Sequence, residues 1–310
     1  VVVVIGASSG IGRETALHYA RRNACLVLAS RSEDALRDVA DECRSVGATD
    51  VVVQATDIAA AEQVQKLFDV TIARFGRADI VAQCAAITAF GRFEDVPAEV
   101  FDDVVKTNLL GAANVARSAL RHFQERRSGH LVLVGSLLGV IAVPYQSPYV
   151  LSKFALSALV RVLRQENRHL PGVRIHGIYP GPVDTPVYGT AGNYSGYTPK
   201  VPPTADAPAI VAAAIVRATD RRRSSERQVG LLNWPAILAY RLLPTVFDAV
   251  VGPFVRAASF DSNPSDASSG NVRNVPLADN PRESADAGAR PGRHLNGSDV
   301  LGSTSGDRSS

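Results

Sequence analysis

Tyr149 and Lys153 stand four residues apart in Tyr149-Val150-Leu151-Ser152-Lys153, and Ser136 lies thirteen residues upstream. On a helix, positions i and i+4 share one face. A free tyrosine, with a pKa near ~10, is a poor base at neutral pH. A neighbouring ammonium stabilises the phenolate and brings that pKa down. A serine hydroxyl at a strand end can hold a carbonyl or alcohol oxygen beside the phenol. The three together could move a proton to or from such an oxygen. A Tyr–Lys pair by itself is ordinary surface packing, so the combination with Ser136 carries the signal.

A second constellation opens the chain. Val1–Ile5 reads as a strand and runs into Gly6-Ala7-Ser8-Ser9-Gly10-Ile11-Gly12, after which helical spacing begins. A strand, a glycine turn and a helix N-terminus aim free backbone N–H groups at an anion, aided by the helix dipole. The spacing is GxxxGxG, and at the head of the first βα unit it points to a dinucleotide. NAD sites place an acidic residue at the end of the second strand to hold the ribose 2′-hydroxyl. Here that strand ends in Ser30-Arg31, with no acid. A guanidinium pairs with a 2′-phosphate, and Arg13 adds a second charge, so NADP(H) is favoured over NAD(H). Asp57-Ile58, after the third strand, is placed to meet the adenine; Asp57 also suits a helix N-cap.

The elements that must position these residues alternate. Apolar, β-branched runs at Val1–Ile5, Cys25–Ala29, Val51–Gln54, Ile80–Ala82, Leu131–Val134 and Val173–Ile178 are separated by helical stretches such as Ile11–Arg22, Glu33–Val46, Ala61–Phe75 and Tyr149–Leu170. That alternation predicts an α/β fold: a Rossmann-like, doubly wound parallel sheet of about seven strands with helices on both faces. Residues 183–205 are rich in Pro, Gly and Tyr and read as a long loop over the site. A helix over Ala207–Thr219 follows, and Gln228–Leu232 reads as the last strand.

Pro235, Pro244 and Pro253 predict short helices within 233–260, because proline is tolerated in a first turn and not inside. From Asp261 to Ser310 the chain has no aromatic residue and is dominated by Ser, Asp, Asn, Gly, Pro and Arg. Such a stretch predicts disorder. The expected organisation is a nucleotide-binding domain at 1–232, a helical extension at 233–260 and a disordered tail at 261–310.

Composition excludes several classes. Of 310 residues, 46% are hydrophobic, enough for a large core. The net charge of +3 is small and argues against nucleic acid as a partner. Cys25, Cys43 and Cys84 are scattered, which argues against a disulfide framework or a metal site and makes a reducing cytoplasm the default compartment. No uninterrupted apolar run reaches membrane-spanning length, and no signal peptide is read. The chain has no Met and starts on a strand, so we read it as lacking its natural start, which leaves room for a targeting segment ahead of it.

With these motifs in view, the sequence resembles the short-chain dehydrogenase/reductase family over roughly residues 1–232. The matches are Gly6, Gly10 and Gly12; Ser136; Tyr149 and Lys153; Asn108 within Lys106-Thr107-Asn108-Leu109-Leu110-Gly111; and Pro180-Gly181 followed by Val183-Asp184-Thr185. The resemblance implies an oxidoreductase acting on a carbonyl or secondary alcohol, with Tyr149 as general acid/base. It implies that Lys153 lowers the Tyr149 pKa and binds the nicotinamide ribose, that Ser136 orients the substrate oxygen, and that Asn108 holds a relay water. Val183 and Thr185 would meet the carboxamide, while the glycine turn and Cys84-Ala85-Ala86 would line the dinucleotide. Two departures stand out. Ile5 replaces a usual threonine, and Gln83-Cys84-Ala85-Ala86 replaces Asn-Asn-Ala-Gly. Tyr145 is set aside as the base because no lysine lies four residues on.

The residues flanking the site (Leu137, Leu138, Val140, Ile141, Val143, Pro144, Gln146) and the loop tyrosines Tyr188, Tyr194 and Tyr197 suggest an apolar substrate pocket. Residues 231–256 resemble the C-terminal extension of membrane-associated family members. Trp234, Tyr240, Phe247 and Phe254 with Arg241 and Arg256 could make an interfacial patch for peripheral membrane contact, assisted by the Arg217–Arg227 cluster. Helices packing on the domain or on a second subunit are the other reading, and Asp248 and the prolines fit both. A homodimer or homotetramer is implied by the family through helices near 108–127 and 149–169. The reading from a different class is a non-catalytic NADP(H)-binding sensor or scaffold on the same fold.

Overall fold

Alternate residues of each early strand belong to opposite cores. Val3, Ile5, Val27, Ala29, Leu131 and Leu133 pack into one apolar cluster, whereas Val2, Val4, Leu26 and Leu28 pack into another and Val132 and Val134 into a third. Two-sided burial of this kind requires helices on both faces, since each fully buried Val or Leu contributes about 1.5–3 kcal/mol.

The computed structural model describes residues 1–273. The strands are β1 (Val2–Ile5), β2 (Cys25–Ser30), β3 (Asp50–Ala55), β4 (Ile80–Gln83), β5 (Ala89–Phe90), β6 (Gly129–Val134), β7 (Val173–Pro180), β8 (Gly192–Asn193), β9 (Tyr197–Pro199), β10 (Ser225–Val229) and β11 (Phe260–Pro264). The helices are α1 (Gly10–Ala20), α2 (Glu33–Ser45), α3 (Ala61–Phe75), α4 (Ala98–Val105), α5 (Ala112–Arg126), α6 (Ser147–Glu166), α7 (Val187–Thr190), α8 (Pro208–Thr219), α9 (Asn233–Leu242) and α10 (Pro244–Ser259).

Seven strands form one sheet in the order β10-β7-β6-β4-β1-β2-β3, and every pairing in it is parallel. Helices α3, α5 and α6 supply Leu67, Phe123 and Leu156 to one face. On the other face α1 and α2 supply Leu17 and Leu36, and α8 supplies Ile215. The chain leaves β1 in one direction for β2 and β3, then returns to β4 on its other side. That reversal opens a crevice beyond the carboxyl ends of the strands, the usual ligand position in such sheets.

Four expectations need correction. The last strand is Ser225–Val229 rather than Gln228–Leu232, because β10 is an edge strand and Leu231 and Leu232 are exposed. Pro253 sits inside the sixteen-residue α10 instead of ending it; burial of Val255 and Ser259 on the same helix offsets the lost hydrogen bond. The 183–205 loop carries structure: β8 pairs with β5 and β9 with β11. Residues 261–273 are also ordered, through β11 and a 3-10 turn at Gly270–Val272. The rest of the expected disordered tail lies outside the described residues. Residues 1–273 fall within one compact unit, α9 and α10 included. Among the described residues no helix is long and apolar enough to cross a membrane.

Candidate active site

The carboxyl end of β1 delivers the glycine turn. Gly6 has a φ of +79°, and a Cβ there would come 2.6 Å from the Ala85 nitrogen. A Cβ on Gly12 would collide with the Gly6 carbonyl. Glycine is therefore required at both positions for the turn to close against β4 and α1. Helix α1 begins at Gly10, and its N-cap residue Ser9 makes no capping hydrogen bond with its side chain. The first-turn N–H groups of Gly10, Ile11 and Gly12 thus lack intrahelical partners at the mouth of the crevice. This is a cradle suited to a phosphate.

Beside it, Gln83, the last residue of β4, braces the backbone that follows. Its Nε2 donates to the Ala85 carbonyl at 3.1 Å and its Oε1 accepts from the Ala85 N–H at 2.9 Å, which fixes the Cys84-Ala85-Ala86 backbone. Burial pushes the Cys84 thiol up to about 12, so it is a neutral, packed group.

Arg31 follows β2, and its Nη2 donates to the Asn271 carbonyl at 2.8 Å. Arg13 is engaged by Glu14 at 2.9 Å and by Glu42. Asp57 is not a helix N-cap: Ala60 occupies that position of α3, and Asp57 Oδ1 instead accepts from the Ala59 N–H at 2.9 Å in a tight turn. The Ile58 side chain is buried and faces the Gly111 backbone.

The chemical end lies past β6. Ser136 starts a 3-10 turn, its Oγ accepting from the Leu138 N–H at 3.1 Å. Tyr149 and Lys153 both lie on α6, and the Lys153 ammonium is 5.4 Å from the centre of the Tyr149 ring. Burial pushes the Tyr149 phenol up, and hydrogen bonding with Ser136 acts in the opposite direction. Lys153 is 2% exposed and donates to the Val134 carbonyl at 3.0 Å. Burial brings its pKa down to about 8.

Asn108 lies in a π-helical segment, Lys106–Gly111, between α4 and α5. Its Oδ1 accepts from the Ile87 N–H at 2.9 Å, and its Nδ2 donates to the Ile87 carbonyl at 2.8 Å and to Ser152 at 3.2 Å. Ser152 in turn donates to the Tyr149 carbonyl at 2.8 Å. Single π-turns inside α-helices often mark functional sites.

Pro180 ends β7. Beyond Gly181, Val183 bridges to Asp206, and Thr185 lies close enough to the glycine turn to meet a Cβ on Gly10 at 2.8 Å. Tyr145 is a structural residue: it has a φ of +69° and packs edge-on against Phe260 at 5.9 Å. Tyr188 stacks on Phe90. Of the expected pocket residues, Leu137 and Ile141 are core, packed with Ile237 of α9.

Sequence reasoning missed the wall that α10 provides. A cleft of about 270 Å³ is lined by Ala142, Val143 and Pro144 and by Asp248, Val251 and Gly252 of α10. No local motif marks those helix residues, because only the return of α10 over the β6 turn makes them neighbours. Asn233 anchors the start of α9, the helix that precedes α10: its buried Nδ2 donates to the Tyr179 carbonyl at 3.0 Å and the Val229 carbonyl at 3.1 Å.

The family model described as short chain dehydrogenase matches residues 1–193. The chain is 37% identical over 188 residues to 11-beta-hydroxysteroid dehydrogenase A of Arachis hypogaea, covering 60% of this chain and 53% of that protein. It is 36% identical over 222 residues to the Bacillus subtilis uncharacterized oxidoreductase YxnA, covering 69% and 62%. The chain therefore spans little more than half the length of these curated relatives. Among solved structures, an alcohol dehydrogenase from Thermococcus sibiricus complexed with 5-hydroxy-NADP aligns with a TM-score of 0.66 and 29% identity, over 75% of this chain and 96% of that one. Levodione reductase, at 24% identity and a TM-score of 0.68, covers 76% of this chain and 97% of that one, and shares the fold.

Proposed function

We propose that this chain, which belongs to the short-chain dehydrogenase family, is an NADP(H)-dependent oxidoreductase that interconverts a carbonyl and an alcohol on an apolar substrate. The observation that carries this reading is the placing of Ser136, Tyr149 and Lys153 together at the carboxyl end of β6.

The residues present fit a dinucleotide. The uncapped start of α1 and the closed Gly6–Gly12 turn, with Ser8 and Ser9 at its tip, suit a pyrophosphate. Arg31, with no carboxylate at the end of β2, favours a 2′-phosphate; Arg13 would serve it only by leaving its acidic partners. The turn at Asp57-Ile58 and the Cys84–Ala86 backbone would flank the adenosine half, and Val183 and Thr185 after Pro180-Gly181 the carboxamide. When bound, the nicotinamide supplies or accepts the hydride.

The chain's own residues handle the oxygen and its proton. Ser136 would hold the substrate oxygen. Tyr149 would give it a proton during reduction or take one during oxidation. The Lys153 ammonium favours the phenolate form of Tyr149 and would donate to the nicotinamide ribose. Asn108, clamped to Ile87, would hold a relay water near Lys153. The cleft against α10, where Val143, Pro144 and Val251 stand with Asp248, would take a lipophilic ketone or secondary alcohol that carries a polar group.

The exposed apolar residues of the extension, Trp234, Leu238, Leu242, Val246, Val250 and Phe254, support docking on a lipid surface, whereas Tyr240 and Phe247 pack on the domain and Arg256 donates to the Tyr197 hydroxyl. Oligomerisation through α5 and α6 is the companion expectation. Co-flotation with anionic vesicles, set beside sedimentation of the protein alone, separates these two uses.

The deciding experiment follows NADPH and NADH oxidation over a panel of apolar ketones and aldehydes. Turnover with NADPH on a panel member supports the reductase. Tight NADPH binding without turnover on any member favours the sensor reading. Binding of neither dinucleotide by folded protein would sink both.

A further inference from the structure

The segment after β11 is fastened to the stretch that follows β7, to Arg31 after β2 and to α4. The Ser268 and Asn193 backbones exchange two hydrogen bonds, at 2.7 and 2.9 Å. The Gly270 backbone packs against the Thr190 and Ala191 carbonyls. Asn271 Nδ2 donates to Thr190 Oγ1 at 2.9 Å, while the Asn271 carbonyl accepts from Arg31. Val272 is buried among Ile87, Val96, Val100 and Val104. Arg273 pairs with Asp103 at 3.2 Å and Glu99 at 3.8 Å on α4.

Arg31 follows β2, whereas Thr190 lies on the segment after β7. Those strands are four positions apart in the sheet, about 19 Å at the usual strand spacing. Strands β6, β4 and β1 stand between them, yet both residues are near the glycine turn at the end of β1: the Gly6 and Ala7 N–H groups donate to the Ala29 carbonyl, two residues before Arg31, and Thr185, five residues before Thr190, lies against Gly10. Asn271 Oδ1 is buried and accepts no hydrogen bond among the described residues, an acceptor left for a ligand hydroxyl.

We propose that residues 268–273 form a clasp over the bound dinucleotide, with Asn271 positioning the Arg31 guanidinium for the 2′-phosphate. This rests on the cofactor reading above. The Asn271 carbonyl holds one Arg31 nitrogen and leaves the others to face an anion, so the clasp retains the cofactor and sharpens the preference for its phosphorylated form. No bond is made or broken. The clasp must loosen for exchange, which places its control on the dissociation rate.

The test uses the whole chain carrying Arg273→Glu, which turns the two α4 ion pairs into repulsion, and separately Thr190→Val, which removes the Asn271 side-chain partner. NADPH and NADH release are followed by fluorescence in stopped flow, with equilibrium titrations of both. NADPH release faster by about tenfold is expected, the scale of one lost charge-assisted hydrogen bond, with a drop in the NADPH-to-NADH affinity ratio and no change in melting temperature without cofactor. A segment of merely structural importance would lower that melting temperature and leave the ratio alone, which overturns the proposal. Faster uptake with unchanged release overturns it too, since the segment would then be a plug. If the parent chain binds NADPH and the variants release it at the parent rate, the clasp alone falls. If the parent binds neither dinucleotide, the cofactor reading falls first and takes the clasp with it.

Discussion

The Lys153 ammonium stands 5.4 Å from the centre of the Tyr149 ring, one helical turn further along α6, and donates to the Val134 carbonyl at the end of β6. A buried amine bonded to a strand end and facing an aromatic ring ties α6 to the carboxyl end of β6, beside the phenol to which the proposed function gives the proton transfer. Removing the Tyr149 hydroxyl should therefore separate chemistry from binding. Tyr149→Phe is expected to lower kcat/KM by about 10²–10⁴-fold, the range for a lost general acid, with NADPH affinity measured by fluorescence close to that of the parent.

Lys153 carries a pH signature. Burial lowers its pKa to about 8, while the unfolded chain keeps the proton up to about pH 10.4. Between those values the unfolded state binds more protons, so this group makes the fold more stable as pH rises from 8 toward 10.4. Below pH 8 both states are protonated and the full cost of burying the charge remains. Lys153→Met should remove that rise in urea-unfolding stability, hold or improve stability at pH 7, and abolish most turnover. A parent chain whose stability is flat from pH 8 to 10 would contradict this.

Acid should act through a different pair. His130 and His176 stack at 5.4 Å, and burial lowers their pKa values to about 4 and about 3. Their unfolded values lie near 6.5, so the unfolded state binds more protons as pH falls below 6.5 and stability declines until the folded pKa values are passed. For the fully buried His176 the loss at pH 5 is about 2 kcal/mol relative to pH 7. His176→Leu is expected to remove roughly half of the fall in melting temperature between pH 7 and 5, His130 supplying the rest.

Asn108 has a structural duty apart from any proton relay. Asn108→Ala strands both the N–H and the carbonyl of buried Ile87, at about 1–3 kcal/mol for each unsatisfied group. A fall of several degrees in melting temperature is expected. Asn108→Asp, which keeps the acceptor for the Ile87 N–H, should recover part of it. Equal melting temperatures for all three proteins would refute the clamp.

Cofactor choice should follow Arg31. Arg31→Glu puts a carboxylate where NAD sites carry one and repels a 2′-phosphate. The NADPH-to-NADH ratio of kcat/KM is expected to fall by about 10²-fold, the scale of one charge-assisted pair lost and a repulsion gained. An unchanged ratio would place the discrimination elsewhere.

The central sheet was legible because its strands are buried on both faces, which leaves near-continuous apolar runs such as Val2–Ile5 and Leu131–Val134. Its edge was not. Strand β10, Ser-Glu-Arg-Gln-Val, has no neighbour on one side among the described residues and little apolar character, and the more apolar Leu231 and Leu232 beside it are left in the open by the fold. Pro253 and residues 261–273 misled for a related reason. Local rules assign a break or disorder, and long-range packing of Val255, Phe260 and Val272 overrides them.

What the sequence by itself determined is the set of groups tied to local geometry: a glycine turn between a strand and a helix, and a Tyr–Lys pair set one turn apart by helical periodicity. Backbone sterics and repeat spacing act within a few residues, so they can be read from a few residues. Only the tertiary structure decided that Arg13 is engaged by Glu42, that Arg31 is held by Asn271 from 240 positions away, and that α10 walls the apolar cleft. Those contacts depend on how a parallel sheet brings strand ends together, and no local spacing encodes which distant side chain arrives there.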